Sequence, residues 1–137
     1  FKSCKSGRPP MILGVGCDLC NINRIEALIS CYGEKFLKKV FLTSEISRLQ
    51  NRSNAASGFA KVFAAKEALV KALGESAGIS WHDIEVIKNN HGRPEYFLRN
   101  AANKTAQKLA NGNYQLHLSL SDDLPYAMAY AIFCKTS

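Results

Sequence analysis

"SGFAKVFAAKEALVKAL", residues 57–73, decides the fold of this chain. Phe59, Val62 and Phe63, Leu69 and Val70, and Leu73 return with the period of a helix. Gly74 stands where that helix would stop. Upstream, "MILGVGCDL" (11–19) is rich in apolar residues and predicts a strand over 11–17, with Gly14 and Gly16 marking a close backbone approach. Ile22, Ile25, Leu28 and Ile29 then form a helical stripe that Asn21 or Asn23 can cap, with Glu26 completing a box and Gly33 ending it. "GEKFLKKVF" (33–41) adds a short helical turn. "LTSEISRLQN" (42–51) predicts another helix, capped by Thr43 or Ser44, with Glu45 in its first turn. Residues 51–57, "NRSNAAS", read as a link.

Downstream of Gly74 the period falls to two. "DIEVI" (83–87) and "EYFL" (95–98) flank the turn "NNHGRPE", which predicts a hairpin. Residues 100–111 read as a polar-faced helix ending at Asn111-Gly112. "YQLHLSLSDDLPYAMAYAIF" (114–133) gives two alternating strands around "SDDLP". The order is strand, helices, hairpin, helix, hairpin: an α+β domain.

The chain has 137 residues, 47% of them hydrophobic, which suits one compact domain over 11–137. Residues 1–10, "FKSCKSGRPP", are basic and proline-ended and read as an N-terminal extension before Met11. Eighteen Lys and Arg against 11 acids give a formal charge of +7. That balance favours acidic partners: nucleic acid, anionic membrane, an acidic protein or a polyphosphate. The basic residues are scattered and lack interleaved aromatic platforms, which argues against nucleic acid. No run reaches the roughly 18 apolar residues of a membrane span, so a soluble protein is expected. The five cysteines are odd in number, and Cys17 and Cys20 have no second pair to complete a zinc knuckle. Reduced thiols in a cytoplasmic protein are expected.

Two acids carry the chemistry of interest. Asp18 serves either as a turn or cap residue or as a metal-binding carboxylate. Glu67 lies four residues from both Phe63 and Lys71. It either pairs with Lys71 on the surface or, bordering the apolar stripe, needs a partner or a metal. Together they would supply the one or two carboxylates of a magnesium site if the strand end packs on the long helix. His117, Ser119 and Ser121 share one strand face, which is either solvated or a polar wall beside a ligand. No nucleophile elbow surrounds either serine, no Walker sequence is present, and the glycines at 14 and 16 lack the third of a dinucleotide loop.

Read in order, these stretches resemble one family. "GVGCDLCNINRI", "FLTSEI", "KVFAAKEALVKALG", "GRPEYFL" and "HLSLSDD" with "YAMAYAIF" are similar to the successive motifs of holo-acyl-carrier-protein synthases, the short 4'-phosphopantetheinyl transferases. The resemblance runs from about Met11 to Phe133. It implies an α+β fold with an antiparallel sheet on a long central helix. It implies transfer of the phosphopantetheine arm of coenzyme A to a serine of apo acyl carrier protein, with adenosine 3',5'-bisphosphate released. It places magnesium on Asp18 and Glu67, coenzyme A phosphate on Lys66, and carrier-protein binding on Arg24. Lys71, Gly74, His117 and Ser119 fall with Lys66 on the coenzyme A side. It further implies a homotrimer with sites at subunit interfaces, acting in the cytoplasm without nucleic acid or membrane. The general base stays open between a metal-ordered water and a carboxylate.

Four positions depart from the family pattern. Cys17 replaces a small residue that is often Thr, Asn21 an acid, Val62 a basic residue, and Asp122 a His found in some members. Asn21 and Val62 sustain an alternative, a catalytically inactive relative that binds only the carrier protein. The charge sustains another, a basic α+β module for nucleic acid.

Overall fold

A computed structural model describes residues 11–74, 76 and 78–136. The extension expected at residues 1–10 lies outside the described residues. Strand β1 (Met11–Asn21) leads into helices α1 (Ile22–Tyr32), α2 (Glu34–Val40) and α3 (Thr43–Leu49), then the long helix α4 (Ala55–Leu73). A 3-10 turn at Trp81–Asp83 precedes the hairpin β2 (Ile84–Lys88) and β3 (Pro94–Leu98). Helix α5 (Asn100–Ala110) returns the chain to the second hairpin, β4 (Tyr114–Asp123) and β5 (Tyr126–Lys135). The strands form an antiparallel sheet in the order β1-β5-β4 and a separate β2-β3 pair. An antiparallel sheet packed on a long helix is the α+β architecture the sequence implied. Among the described residues no helix is long and apolar enough to cross a membrane.

Small residues set how closely α4 lies on the sheet. Ala60, Ala64, Ala68 and Ala72 recur every four residues along α4 and are all buried. Ala68 and Ala72 lie against Gly16 and Gly14 of β1, and α4 also packs on β5, whose Ala127, Ala129 and Ala131 are buried. A Cβ at Gly14 would overlap the Ala72 carbonyl oxygen, and one at Gly16 the Ala68 carbonyl oxygen. These glycines exist because helix backbone fills the space a side chain would need. The bulkier core gathers where the short helices meet α4. There the Phe41 and Phe59 rings lie 4.9 Å apart, and Phe63 packs against Trp81 at 5.4 Å.

The structure differs from the sequence reading at element ends. Strand β1 runs four residues further than predicted, to Asn21, because its ladder with β5 continues through Asp18↔Ala129 to Asn21↔Tyr126. Asp18 is therefore a strand residue, not a turn or cap. Asn21 caps α1 by accepting from the Asn23 backbone N–H at 2.9 Å. Neither Thr43 nor Ser44 caps α3. The Glu45 carboxylate accepts from the Leu42 N–H at 2.9 Å, while Ser44 donates to Glu85 at 2.7 Å. Helix α4 begins two residues early, at Ala55, and Gly74 ends it in the left-handed region at φ +76°, its N–H on the Val70 carbonyl at 2.9 Å.

Candidate active site

The contact between β1 and α4 brings the two acids together. Gly14, Gly16, Asp18 and Cys20 alternate onto the β1 face that meets the helix. The close approach at Gly16 carries Asp18 up against the last turns of α4. Lys71 Nζ donates to Asp18 Oδ1 at 3.2 Å and to the Cys17 carbonyl at 3.0 Å. The Asp18 side chain is 16% exposed and that of Lys71 55%. Glu67 sits one turn earlier on α4, half-buried. Burial, then the charge of Asp18, pushes its carboxyl above the usual carboxylate range, against the pull of Lys71 and Arg24. Burial, reinforced by Asp18, likewise raises the Cys20 thiol. Lys71 thus pairs across the strand–helix contact, and no Glu67–Lys71 surface bridge forms among the described residues.

Two partly buried carboxylates close enough for the charge of one to act on the other suit a hard divalent cation. Among the described residues no cluster of three or more Asp, Glu, His or Cys forms. A magnesium ion accepts such a sparse set, since it keeps waters and takes further oxygens from substrate phosphates. Burial and the neighbouring Asp18 charge both raise the proton affinity of Glu67, so a cation placed between the two acids would favour its ionised form.

Lys66 is not in this site, which corrects its assignment to coenzyme A phosphate and to catalysis. Although adjacent to Glu67 in sequence, it projects from the other flank of the helix and is 0% exposed. Its ammonium donates to Glu45 Oε1 at 2.8 Å, to the Val40 carbonyl at 2.9 Å and to the Trp81 carbonyl at 3.2 Å. Those three bonds use all three of its protons. Glu45, also 0% exposed, takes the Val86 N–H at 2.8 Å on its other oxygen. Burial draws the Lys66 pKa down, and Glu45 opposes the loss of its proton.

His117 and Ser119 are also apart from the acids. Both are exposed on the β4 face turned away from α4, opposite Ile132 and Tyr130 of β5. They border an open groove of about 570 Å³ between β3 and β4. Gly74 follows Lys71 by three residues, at the end of α4. Arg24 is exposed on α1 and, with Lys35 and Lys39, rims a groove of about 460 Å³ floored by Leu28, Phe36, Phe63 and Trp81.

The sequence reading missed one cationic feature. Arg48 in the last turn of α3, Arg52 after it, Lys61 of α4 and Lys88 of β2 line a cavity of about 160 Å³ together with Val62. Its lining includes no carboxylate, and Arg48 Nε is buried without a partner. Beside it Asp122 accepts from Ser57 at 2.8 Å and lies 3.7 Å from Lys61. The hydrogen bond from Ser57, then the Lys61 charge, holds the Asp122 carboxyl below the usual range.

The fold and this grouping define a small α+β protein in which a carboxylate pair and a set of cations flank one long helix. The chain belongs to the 4'-phosphopantetheinyl transferase superfamily, in its holo-acyl-carrier-protein synthase branch of enzymes. The model of that superfamily matches residues 14–131. The chain is 48% identical over 126 residues to the holo-[acyl-carrier-protein] synthase of Paramagnetospirillum magneticum, covering 89% of this chain and 95% of the relative. It is 42% identical to that of Bartonella tribocorum, with the same coverage. The crystal structure of holo-ACP-synthase from Plasmodium yoelii superposes with a TM-score of 0.82 at 28% identity, covering 95% of this chain and 100% of the other. The Helicobacter pylori synthase in complex with coenzyme A superposes with a TM-score of 0.74 at 30% identity, covering 87% and 98%.

Proposed function

We propose that this protein transfers the 4'-phosphopantetheine arm of coenzyme A to a serine of apo acyl carrier protein, with magnesium, releasing adenosine 3',5'-bisphosphate. The observation that carries the reading is the convergence of Asp18, Glu67 and Lys71 at the β1–α4 contact in a chain of this family. Asp18 and Glu67 would hold the magnesium ion, which when bound neutralises diphosphate charge and polarises the attacked phosphorus. Lys71 offers an ammonium within the same space for a phosphate oxygen. The cavity lined by Arg48, Arg52, Lys61 and Lys88 offers a second, cation-rich place for phosphate on the nucleotide. The serine hydroxyl of the carrier attacks the β-phosphorus, its proton passes to a carboxylate or to an ordered water, and the P–O bond to the α-phosphate breaks as adenosine 3',5'-bisphosphate leaves.

The groove rimmed by Arg24, Lys35 and Lys39 fits an acidic, partly apolar partner such as the carrier protein. The net charge of +7 steers that encounter. The outward sheet face carries Val15, Leu19, Tyr126, Met128 and Tyr130, each at least 42% exposed, and suits burial between copies in a homotrimer. Such an assembly would set His117 and Ser119 against a neighbouring chain, where they could complete its coenzyme A site. The enzyme would act in the cytoplasm.

The test is to incubate the protein with apo carrier, coenzyme A and magnesium and weigh the carrier by intact mass spectrometry. The expected result is a gain equal to the phosphopantetheine arm, abolished by EDTA, with one equivalent of adenosine 3',5'-bisphosphate. No gain, on a carrier that another transferase modifies, would overturn the reading.

A further inference from the structure

Lys71 and Lys66 are both held by carboxylates, but in opposite ways. Lys66 is sealed by three acceptors and fully buried. Lys71 is 55% exposed and touches Asp18 through a single 3.2 Å bond, supported by one carbonyl at 3.0 Å. The ammonium is half in solvent while the Asp18 carboxylate is mostly buried at 16% exposure, so Lys71 can leave readily only when another cation takes its place on Asp18. Its long stem on the last turn of α4 lets it swing without moving the helix.

We propose that Lys71 is a placeholder cation: it occupies Asp18 in the free protein and moves onto the coenzyme A diphosphate when a divalent ion takes the carboxylates. The inference rests on reading Asp18 and Glu67 as the metal ligands. It makes metal and coenzyme A bind as a coupled pair, with the free protein a poor metal site.

Charge counting leads to the same conclusion. Asp18 and Glu67 bring two negative charges when ionised, and Lys71 and Arg24, which both act on Glu67, bring two positive ones. The free site is near neutral and has little pull on a lone dication. An ammonium and a dication cannot share one carboxylate edge without strong repulsion. The ion must displace Lys71, and the displaced ammonium needs a new anion. The diphosphate of coenzyme A brings two negative charges and supplies it.

The experiment measures Mn2+ binding by the electron paramagnetic resonance signal of the free ion, with and without coenzyme A and with no carrier present. Wild type is expected to bind Mn2+ weakly alone and more tightly with coenzyme A. Lys71→Met is expected to bind Mn2+ at least about threefold more tightly than wild type in the absence of coenzyme A, since it frees Asp18 from its ion pair. It should then gain less than wild type when coenzyme A is added, because the ammonium–phosphate contact is gone. Lys71→Arg, which keeps the charge, should stay near wild type. A Lys71→Met protein that binds Mn2+ no better than wild type without coenzyme A overturns the placeholder, provided Asp18→Asn and Glu67→Gln both lose Mn2+. If those two bind Mn2+ as wild type does, the carboxylate metal site itself fails, and the placeholder falls with it.

Discussion

Lys66 and Glu45 form an ion pair at 2.8 Å with both side chains fully shielded from solvent, one residue along the helix from Glu67. Glu45 also ties down the Leu42 and Val86 backbone N–H groups, and Lys66 the Val40 and Trp81 carbonyls. One pair of charges thus joins α3, α4, the end of α2 and the start of the β2–β3 hairpin. It fixes the rotation of α4 about its axis and so the direction in which Glu67 projects.

Lys66→Met should therefore destabilise the protein rather than selectively weaken coenzyme A binding. It leaves Glu45 buried without its cation, a loss of about 3–5 kcal/mol for breaking a buried pair from one side. Urea denaturation should show the drop, and the double variant Lys66→Met/Glu45→Gln should recover part of it. A Lys66→Met protein of unchanged stability with a raised KM for coenzyme A would return Lys66 to the phosphate site.

The misplacement of Lys66 shows what the sequence could and could not disclose. Helix α4 was legible because its apolar period and Gly74 are local signals, and β1, the hairpins and α5 were legible for similar reasons. The position of Lys66 was also there to be read, four residues from Val62 and three from Leu69, on the stripe itself. A lysine on an apolar stripe needs a buried partner, but that partner is Glu45, 21 residues away on a short helix. The cationic cavity was illegible for a stronger reason. Arg48, Arg52, Lys61 and Lys88 come from separate elements, and each alone is an ordinary surface cation until the fold gathers them. Asp18 was legible as a metal candidate, whereas its bond to Lys71 depends on the helix–strand packing that only the structure supplies.

Glu67 carries a stability cost with a definite pH dependence. Its folded-state pKa is raised, by burial first and by Asp18 second, so the native state binds its proton more tightly than the unfolded chain. Stability contributed at this position is present below the ordinary carboxylate pKa and is lost as pH rises through the raised value. Glu67→Gln should thus melt higher than wild type at neutral pH in metal-free buffer, with the gap closing as pH falls into the carboxylate range. The same variant should lose phosphopantetheine transfer. A melting difference that widens on acidification would show that the carboxyl is not strained by its surroundings.

Gly16→Ala tests the origin of the site's geometry. The added methyl would collide with the Ala68 carbonyl and with the Ala72 nitrogen, 2.7 Å from the ideal Cβ, both of them helix backbone. Neither can rotate aside, so β1 and α4 must separate, at about 1–3 kcal/mol by the usual cost of overpacking. Separation also carries Asp18 away from Lys71 and Glu67, so transfer activity should fall in protein that is still folded. A fully active, fully stable alanine variant would mean the close approach is not what assembles the acids.

Arg48→Ala tests the cationic cavity apart from the chemistry. The Nε of Arg48 is buried and unpartnered, which is costly unless a ligand acceptor completes it. Loss of a charge-assisted bond to phosphate should raise the KM for coenzyme A by about tenfold or more while leaving kcat within a few-fold. A kcat loss with unchanged KM would place Arg48 in the transition state instead.

The outward face of the three-stranded sheet makes the last prediction. Leu19 is 61% exposed and pairs across the ladder with Met128 at 42%, next to Tyr126 and Tyr130 at 46% and 43%. Side chains of this size, contiguous on one flat face, are ordinarily covered by protein. Met128→Asp would place a charge at the centre of that face without touching α4, since its neighbours Ala127 and Ala129 are the residues that point inward. Sedimentation at micromolar concentration should find wild type at three times the chain mass and the variant at one. Because His117 and Ser119 lie on the same face, the monomeric variant should also bind coenzyme A more weakly, although Asp18, Glu67 and Lys71 stay in place. A monomeric wild type with full transfer activity would show instead that one chain holds a complete site and that the apolar face serves another purpose.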